Sequence, residues 1–313
     1  MVFFVVIFNT QNERKNKMKR SVIMILLCLC MLLTACSCAQ DSDNDAAHAV
    51  SGGVQSEPIQ TVRVTFPEGY NVMQIGQLLE SNGVCSASDF YTTMNTTDFS
   101  GEYSFLPSFA ELSDRVYFLE GYLYPDTYDF YLNDSAASVI RRFLNNFDAK
   151  VTDEMISSAA STGSFYNTSL TFDDVLIMAS IVEREIYVVE EMPKCAAVFY
   201  NRIKYPNGNG VNGTSTAGYL GSDITIYYPY IKSTCPEGFK SEYDTTNGSG
   251  NVGLPKGPIC CPSINAIKAA LNPDHSVDSF FFYIDSNAKV YYALTFAEHQ
   301  ANYRYCVDNG IAG

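Results

Sequence analysis

The strongest constraint on what this chain can fold into is an apolar segment near its N-terminus. Residues 21–33 are almost entirely apolar, follow Lys19-Arg20 and precede small residues. A basic start, a short apolar core and small residues at a cleavage point are typical of a secretory signal. The core is shorter than the roughly 20 residues that span a bilayer comfortably. We therefore expect residues 1–35 to be a signal peptide, with Met18 as the true start, and we exclude them from the fold.

Cys36 lies where cleavage of that signal is expected. The segment Leu33-Thr34-Ala35-Cys36 resembles a bacterial lipobox, in which the cysteine thiol is lipidated. The sequence thus predicts a lipoprotein on the extracytoplasmic face of the cell membrane, anchored through Cys36. A single N-terminal transmembrane anchor is the alternative. Residues 36–59 are rich in Ser, Asp, Ala and Gly, a composition that predicts a flexible tether.

Composition restricts the function of the remaining chain. The protein has 313 residues, of which 47% are hydrophobic and 17% charged, so it can bury the core of one or two domains. Its net charge of −14 and the lack of a basic run beyond residue 20 argue against nucleic acid as a partner. No HxxxH or CxxC spacing occurs, so no metal and no cofactor is predicted. We expect most cysteines beyond Cys38 to be small buried residues.

The hydrophobic pattern predicts an α+β fold with two parts. Residues 60–66 alternate as a strand does, and two short helices are expected to follow, ending near residue 94. Residues 208–257 are rich in Gly, Asn and Ser, which predicts a long functional loop. Further elements are predicted as helices over 134–160, 175–189, 193–203 and 263–271, a hairpin over 279–293 and a last helix from about residue 296. We expect a small subdomain over 60–100 and a mixed α/β catalytic domain with a groove over 101–313.

Glu183 is the best candidate for a catalytic carboxyl. It follows Leu176 and Ala179 at helical spacing, so its side chain should project from a mostly apolar face. Burial disfavours the charged form of a carboxyl, and glycosidic cleavage requires a protonated general acid. The pattern alone leaves open a structural role in an ion pair or at the rim of the stripe. Glu185 is expected on the opposite, solvated side of the helix.

A series of short motifs runs in order along residues 60–305. They are Val64–Gly69 (VTFPEG), Leu119–Tyr128 (LEGYLYPDTY), Ala179–Glu185 (ASIVERE), Val198–Arg202 (VFYNR), Ser222–Tyr228 (SDITIYY), Tyr243–Thr245 (YDT), Gly253–Ile259 (GLPKGPI) and Thr295–His299 (TFAEH). In this order they resemble the MltG (YceG-like) family of endolytic murein transglycosylases. The resemblance implies that residues 60–100 form a LysM-like subdomain and residues 101–313 the YceG-like catalytic domain.

The resemblance also implies a reaction and its residues. Glu183 would be catalytic, and the substrate-binding residues would be Asp223, Thr225, Tyr228, Tyr243, Tyr124, Glu298 and His299. The reaction would cut the β-1,4 bond between N-acetylmuramic acid and N-acetylglucosamine, leave a 1,6-anhydro end and terminate nascent glycan strands. The implied partners are peptidoglycan strands and peptidoglycan synthases.

Several of these residues have a structural reading beside the functional one. Glu298 is also placed to cap a helix. Tyr122, Tyr124 and Tyr128 belong to an aromatic cluster of the kind that usually forms core. Asp223 is as well suited to orienting a loop, or to being a second carboxylate in a hydrolase.

Departures from the family pattern leave two other functions open. Gly221 stands where the family usually has Gln, Cys261 replaces Asn and Val290 replaces His. These changes motivate a catalytically weakened, peptidoglycan-binding scaffold lipoprotein as the alternative. A third interpretation, a lyase acting on a chorismate-derived substrate, is opposed by the export signal and by the lack of a lysine in a pyridoxal-phosphate context.

Overall fold

The computed structural model describes residues 60–313, so the predicted signal peptide, the lipidation site Cys36 and the tether lie outside the described residues. The first strand, β1 (Thr61–Thr65), pairs antiparallel with β2 (Thr127–Tyr131), so that Val64 lies opposite Tyr128. Between them in the chain come α1 (Val72–Ser81) and α2 (Ala87–Thr96). The predicted strand–helix–helix order is confirmed, and its sheet partner comes from beyond residue 100.

Three further helices lie next to β2 in the chain. The short α3 (Phe109–Leu112) precedes β2, and α4 (Ala136–Lys150) and α5 (Asp153–Phe165) follow it. The sequence predicted one long or broken helix over 134–160, and the structure shows a break. Val151 is extended, and the Thr152 side chain caps α5 by accepting a hydrogen bond from the Met155 amide at 3.3 Å. The cap satisfies a backbone amide that a helix start leaves without a partner.

The centre of the molecule is α6 (Phe172–Glu185), which packs against α7 (Met192–Lys204) and α8 (Ile264–Leu271). It begins at Phe172, three residues before the predicted start, with a capping box between Thr171 and Asp174. Every residue of its middle, 175–182, is buried, so this helix is buried all round rather than along one stripe. It ends at Glu185, earlier than the predicted residue 189, because Ile186 is already extended.

The C-terminal part is a hairpin and a helix. Strands β3 (Phe281–Ile284) and β4 (Val290–Ala293) pair antiparallel, and α9 (Phe296–Asp308) packs on them. The long loop between α7 and α8 holds one 3₁₀ turn, Asp223–Ile226. The two small sheets among many helices confirm the α+β class.

Aromatic side chains fill much of the core. Tyr122 and Tyr124 are buried, and the Tyr128 ring lies 4.6 Å from that of Phe143. The core interpretation of this tyrosine cluster is therefore confirmed. The cysteines of residues 60–313 form no disulfide. Most of them are buried, as expected, namely Cys195, Cys260, Cys261 and Cys306, while Cys85 and Cys235 are partly exposed.

Within residues 60–313, no helix combines the length and the apolar character that crossing a membrane requires. In the same residues, no cluster of His, Cys, Asp and Glu side chains is suited to holding a metal ion.

Candidate active site

A pocket of about 840 Å³ opens between α7, β3, α9 and the loop before the 3₁₀ turn. Its walls include several aromatic side chains, among them Phe281 and Phe282 from β3 and Phe296 from α9. Four polar side chains that can carry charge enter it, namely Glu185, Arg202, Asp223 and His299. The volume falls in the range of ligand-binding clefts, and such a combination of apolar walls and a few polar groups is typical of them.

Glu185, the last residue of α6, supplies the sheltered carboxyl of this pocket. Ser222 donates its hydroxyl hydrogen to Oε1 of Glu185. Burial raises the pKa of Glu185, while the Ser222 hydrogen bond and the charge of Arg202 act in the opposite direction and Asp223 raises it further. Glu185 is half-buried in this pocket and not fully solvated as predicted.

The sequence contained a signal for this position. Glu185 follows Met178, Ile181 and Val182 by seven, four and three residues, which is the spacing of one helical face. All three of those residues are fully buried. The assumption of a single apolar stripe placed Glu185 outside, whereas α6 is buried all round.

Glu183 points to a different place. Its Oε2 accepts two hydrogen bonds from Ser263, at 3.0 Å from the amide and 2.6 Å from the hydroxyl. Ser263 is the N-cap of α8, so the Glu183 carboxylate lies at a helix N-terminus, where negative charge is favoured. It does not line the 840 Å³ pocket. A catalytic role for Glu183 stays a prediction, and the geometry gives this side chain a structural task.

Glu68 lies close to Glu183 on the turn after β1. The pKa of Glu68 is raised by burial and by the nearby charge of Glu183. A Cβ added to Gly69, the next residue, would lie 3.6 Å from Cγ of Glu183. Arg184 donates to the Gly69 carbonyl at 3.0 Å, so this turn is held against the end of α6.

Asp223 and His299 are the predicted site residues that the structure brings together with Glu185. Asp223 opens the 3₁₀ turn and is exposed. The His299 ring is stacked on Phe281 with 5.7 Å between centroids, and Nδ1 is buried without a hydrogen-bond partner in the described structure. Burial lowers the pKa of His299, and the charge of Arg202 lowers it further.

Arg202 was missed as a site residue, although it belongs to the VFYNR motif. Its Nε donates to the Phe280 carbonyl at 2.7 Å, and Nη1 donates to the Leu220 carbonyl. Burial lowers the pKa of Arg202 to about 10, although the charge of Glu185 opposes this change. The guanidinium is therefore still charged at neutral pH.

Three predicted binding residues lie in the buried framework behind the pocket. Thr225 donates its hydroxyl hydrogen to the Ser222 carbonyl at 2.6 Å, which fixes the residue that holds Glu185. Tyr228 donates to Glu120 at 3.0 Å, and the Tyr243 ring packs 4.4 Å from that of Tyr228. None of the three lines the 840 Å³ pocket, so direct substrate binding by them stays a prediction.

Tyr124 and Glu298 also lie outside that pocket. Tyr124 is in the aromatic core. Glu298 completes the capping box of α9 with Thr295, accepting from the amides of Leu294 at 2.9 Å and Thr295 at 3.1 Å. The structural reading of Glu298 thus has direct support, and a role in substrate binding stays a prediction.

The fold is a mixed α/β architecture, and its large pocket holds a carboxyl of raised pKa, an arrangement that can support acid–base chemistry. The model of the YceG-like family matches residues 39–305. The chain belongs to the YceG-like family.

Curated relatives carry the name endolytic murein transglycosylase. One from Streptococcus pneumoniae R6 is 29% identical over 279 residues, covering 82% of this chain and 47% of that protein. One from Bacillus subtilis 168 is 31% identical over 191 residues, covering 58% of this chain and 46% of that protein. This chain spans about half the length of the curated relatives it matches.

A solved structure of a relative has a similar fold. The crystal structure of a YceG-like protein from Listeria monocytogenes matches with a TM-score of 0.61 at 27% identity. The match covers 76% of this chain and 74% of that one. It supports the mixed α/β architecture described above.

Proposed function

We propose that this protein is an endolytic peptidoglycan lytic transglycosylase, which cuts the β-1,4 bond between N-acetylmuramic acid and N-acetylglucosamine. The names of its relatives support the reaction class. The observation that carries the proposal is the placement of the Glu185 carboxyl in the 840 Å³ pocket, with a pKa raised by burial. Burial favours the protonated form of this carboxyl, and a protonated carboxyl in a pocket of this size can act as general acid toward a bound sugar chain.

Glu185 performs two proton transfers in this mechanism. In its protonated form it donates to the glycosidic oxygen, and the bond from that oxygen to the anomeric carbon of the muramyl residue breaks. As a carboxylate it then takes the proton of the muramyl 6-hydroxyl, whose oxygen attacks the anomeric carbon. The 1,6-anhydro ring closes and Glu185 is protonated again. Ser222 holds the carboxyl in place through its hydroxyl.

The nucleophile belongs to the substrate, so no second protein carboxylate is needed. An intramolecular hydroxyl has a high effective concentration at the anomeric carbon. Asp223 lines the same pocket but is exposed, which suits it less to a second buried catalytic role. It is the residue that would activate water if the enzyme were a hydrolase.

Further parts of the proposal concern the setting of the reaction. We infer that the LysM-like subdomain comprises β1, α1 and α2, completed by β2 from beyond residue 100. The protein would be tethered through Cys36 to the outer face of the cell membrane. There it would terminate nascent glycan strands beside peptidoglycan synthases.

Mass spectrometry of glycan strands incubated with the protein tests this function. Products ending in 1,6-anhydro-muramic acid are expected. Products with reducing ends would mean a hydrolase and would contradict the transglycosylase mechanism. Intact strands that still bind the protein would favour the alternative function, a catalytically weakened scaffold lipoprotein. Departures from the family pattern, such as Gly221 in place of Gln, motivate that alternative.

A further inference from the structure

The proposed mechanism leaves one cation of the pocket without a task. The Arg202 guanidinium has five N–H donors, and its observed hydrogen bonds go to the carbonyls of Phe280 and Leu220. Among residues 60–313 no carboxylate forms an ion pair with Arg202. A buried charge is costly unless an opposite charge accompanies it. The guanidinium thus has spare donors beside the pocket, and the Glu185 carboxyl, whose charge acts on it, does not come within ion-pair distance.

His299 adds a second unused polar group to the same pocket. Its Nδ1 is buried and has no hydrogen-bond partner within the described part of the chain. A buried polar atom of this kind usually marks a ligand, a water or a functional role. The lowered pKa of His299 keeps the ring neutral at pH 7, and a neutral imidazole can donate from one of its nitrogens.

Gly221 leaves one side of the guanidinium uncovered. Its φ is +67°, and a Cβ built there would lie 3.2 Å from Nη1 of Arg202. A larger residue at this position would therefore crowd the guanidinium. Gly221 itself lines the pocket, so the lack of a side chain there leaves Arg202 accessible to a molecule that binds in the pocket.

We propose that Arg202 and His299 form a carboxylate-binding subsite in this pocket, which takes a carboxylate carried by the glycan substrate. This inference rests on the proposed function. The planar fork of a guanidinium matches a carboxylate geometrically. In peptidoglycan a carboxylate has two sources: the lactyl group of a muramyl residue whose stem peptide has been removed, and the stem peptide itself.

The subsite would also assist the neighbouring acid. A substrate carboxylate close to Glu185 disfavours ionisation of Glu185, which keeps it in the form that donates a proton. Asp223 on the same pocket repels an anion, but it is exposed and its charge is screened by salt.

Binding to the full-length Glu185→Gln variant, which prevents cleavage, tests the proposal with defined strands. Strands stripped of stem peptides are compared with the same strands after their lactyl carboxylates have been converted to amides. Strands with intact peptides are compared in the same way with peptide-amidated strands. We expect amidation to raise the Kd about tenfold, or about 1.4 kcal/mol, in the series that supplies the carboxylate. A change below about twofold in both series overturns the proposal, twofold being only about 0.4 kcal/mol.

A substitution in the same Glu185→Gln background tests the location of the subsite. Gly221→Asn keeps a residue that tolerates positive φ and places its side chain over Arg202. It should weaken binding of the acidic strands about tenfold, about 1.4 kcal/mol, and leave binding of the amidated strands unchanged. The matched control is Gly238→Asn, because Gly238 has a φ of +77° and no atom within 4 Å of an added Cβ.

The two variants and the cleavage assay distinguish a failure of the proposed subsite from a failure of the proposed function. Equal binding by Gly221→Asn and Gly238→Asn would overturn the assignment to Arg202. A wild-type protein that makes no 1,6-anhydro product would contradict the proposed function, whatever the strands show in binding.

Discussion

Two glutamates of one helix have different surroundings although they are two residues apart. A helix turns about 100° per residue, so Glu183 and Glu185 point in nearly opposite directions. Glu183 caps α8 through Ser263, and Glu185 enters the pocket beside Ser222. Each direction meets packed protein because α6 lies in the centre of the fold. The role of each glutamate is therefore set by the neighbour toward which its side chain points, Ser263 or Ser222.

Glu120 is the buried carboxyl with the clearest consequence for stability. It is 1% exposed, and its Oε2 accepts from the Val72 amide and the Tyr228 hydroxyl, each at 3.0 Å. Burial raises the pKa of Glu120 from 4.5 to about 7, although these hydrogen bonds oppose the change. It joins the start of α1 to the loop that carries Tyr228.

The protonation of Glu120 makes stability depend on pH. Since the pKa of Glu120 is higher in the folded state, the folded protein holds this proton more tightly, and stability falls as pH rises from about 4.5 to about 7. The loss is on the order of 3 kcal/mol. We expect the unfolding free energy of the wild type, relative to that of Glu120→Gln, to drop by about this amount between pH 4 and pH 8. Denaturant unfolding of both proteins across this range measures it, and parallel curves would contradict the assignment.

Helix caps explain where several of the helices begin. The boxes Thr171–Asp174 and Thr295–Glu298 both follow a pattern visible in the sequence, and both are closed in the structure. A cap works locally, through groups three residues apart, so its formation needs little tertiary context. This is why helix starts were predicted more closely than helix ends.

Substitutions of Glu298 distinguish a helix-capping role of this residue from a role in substrate binding. Glu298→Ala should lower stability by about 1 kcal/mol, because the amides of Leu294 and Thr295 lose their acceptor. Glu298→Gln keeps an acceptor at the same place and should leave strand cleavage within about twofold of wild type. Thermal unfolding and product formation measure the two effects. A large loss of activity in Glu298→Gln at unchanged stability would instead favour substrate binding.

Elements that depend on distant partners were harder to predict. Strand β2 was not predicted within the aromatic run 117–131, because its pairing with β1 is a contact across more than 60 residues of chain. The end of α6 and the burial of Glu185 likewise depend on the loop that carries Ser222, 37 residues away. The sequence singles out Arg202 only as part of the VFYNR motif, since nothing local shows that β3 and the 213–223 loop close around it.

At the scale of the whole molecule, one continuous core joins the two predicted parts. Phe66 from the first part contacts Tyr128, Phe130 and Phe143 from the second, with ring centroids 4.9–6.1 Å apart. Strand β1 has its only sheet partner of the described chain in β2. The α+β class was predicted correctly from hydrophobic periodicity, but a division at residue 100 has no counterpart in this packing.

The shared core predicts that the chain cannot be cut at residue 100. A fragment 101–313 loses β1 and α1 and exposes the aromatic surface around Phe143, so it should not unfold cooperatively. Circular dichroism during thermal unfolding measures this, with residues 37–313 as the control. A sharp transition in the 101–313 fragment would contradict the single core and support the division predicted from sequence.

One comparison tests directly the proposed role of Glu185 as the general acid. The rate of 1,6-anhydro product formation is measured for the wild type, Glu185→Gln and the matched variant Glu183→Gln. We predict a loss of at least about 100-fold for Glu185→Gln at unchanged folding. Glu183→Gln should stay within a few-fold of wild type and lose about 1 kcal/mol of stability through the weakened cap. An active Glu185→Gln beside an inactive, folded Glu183→Gln would contradict the account.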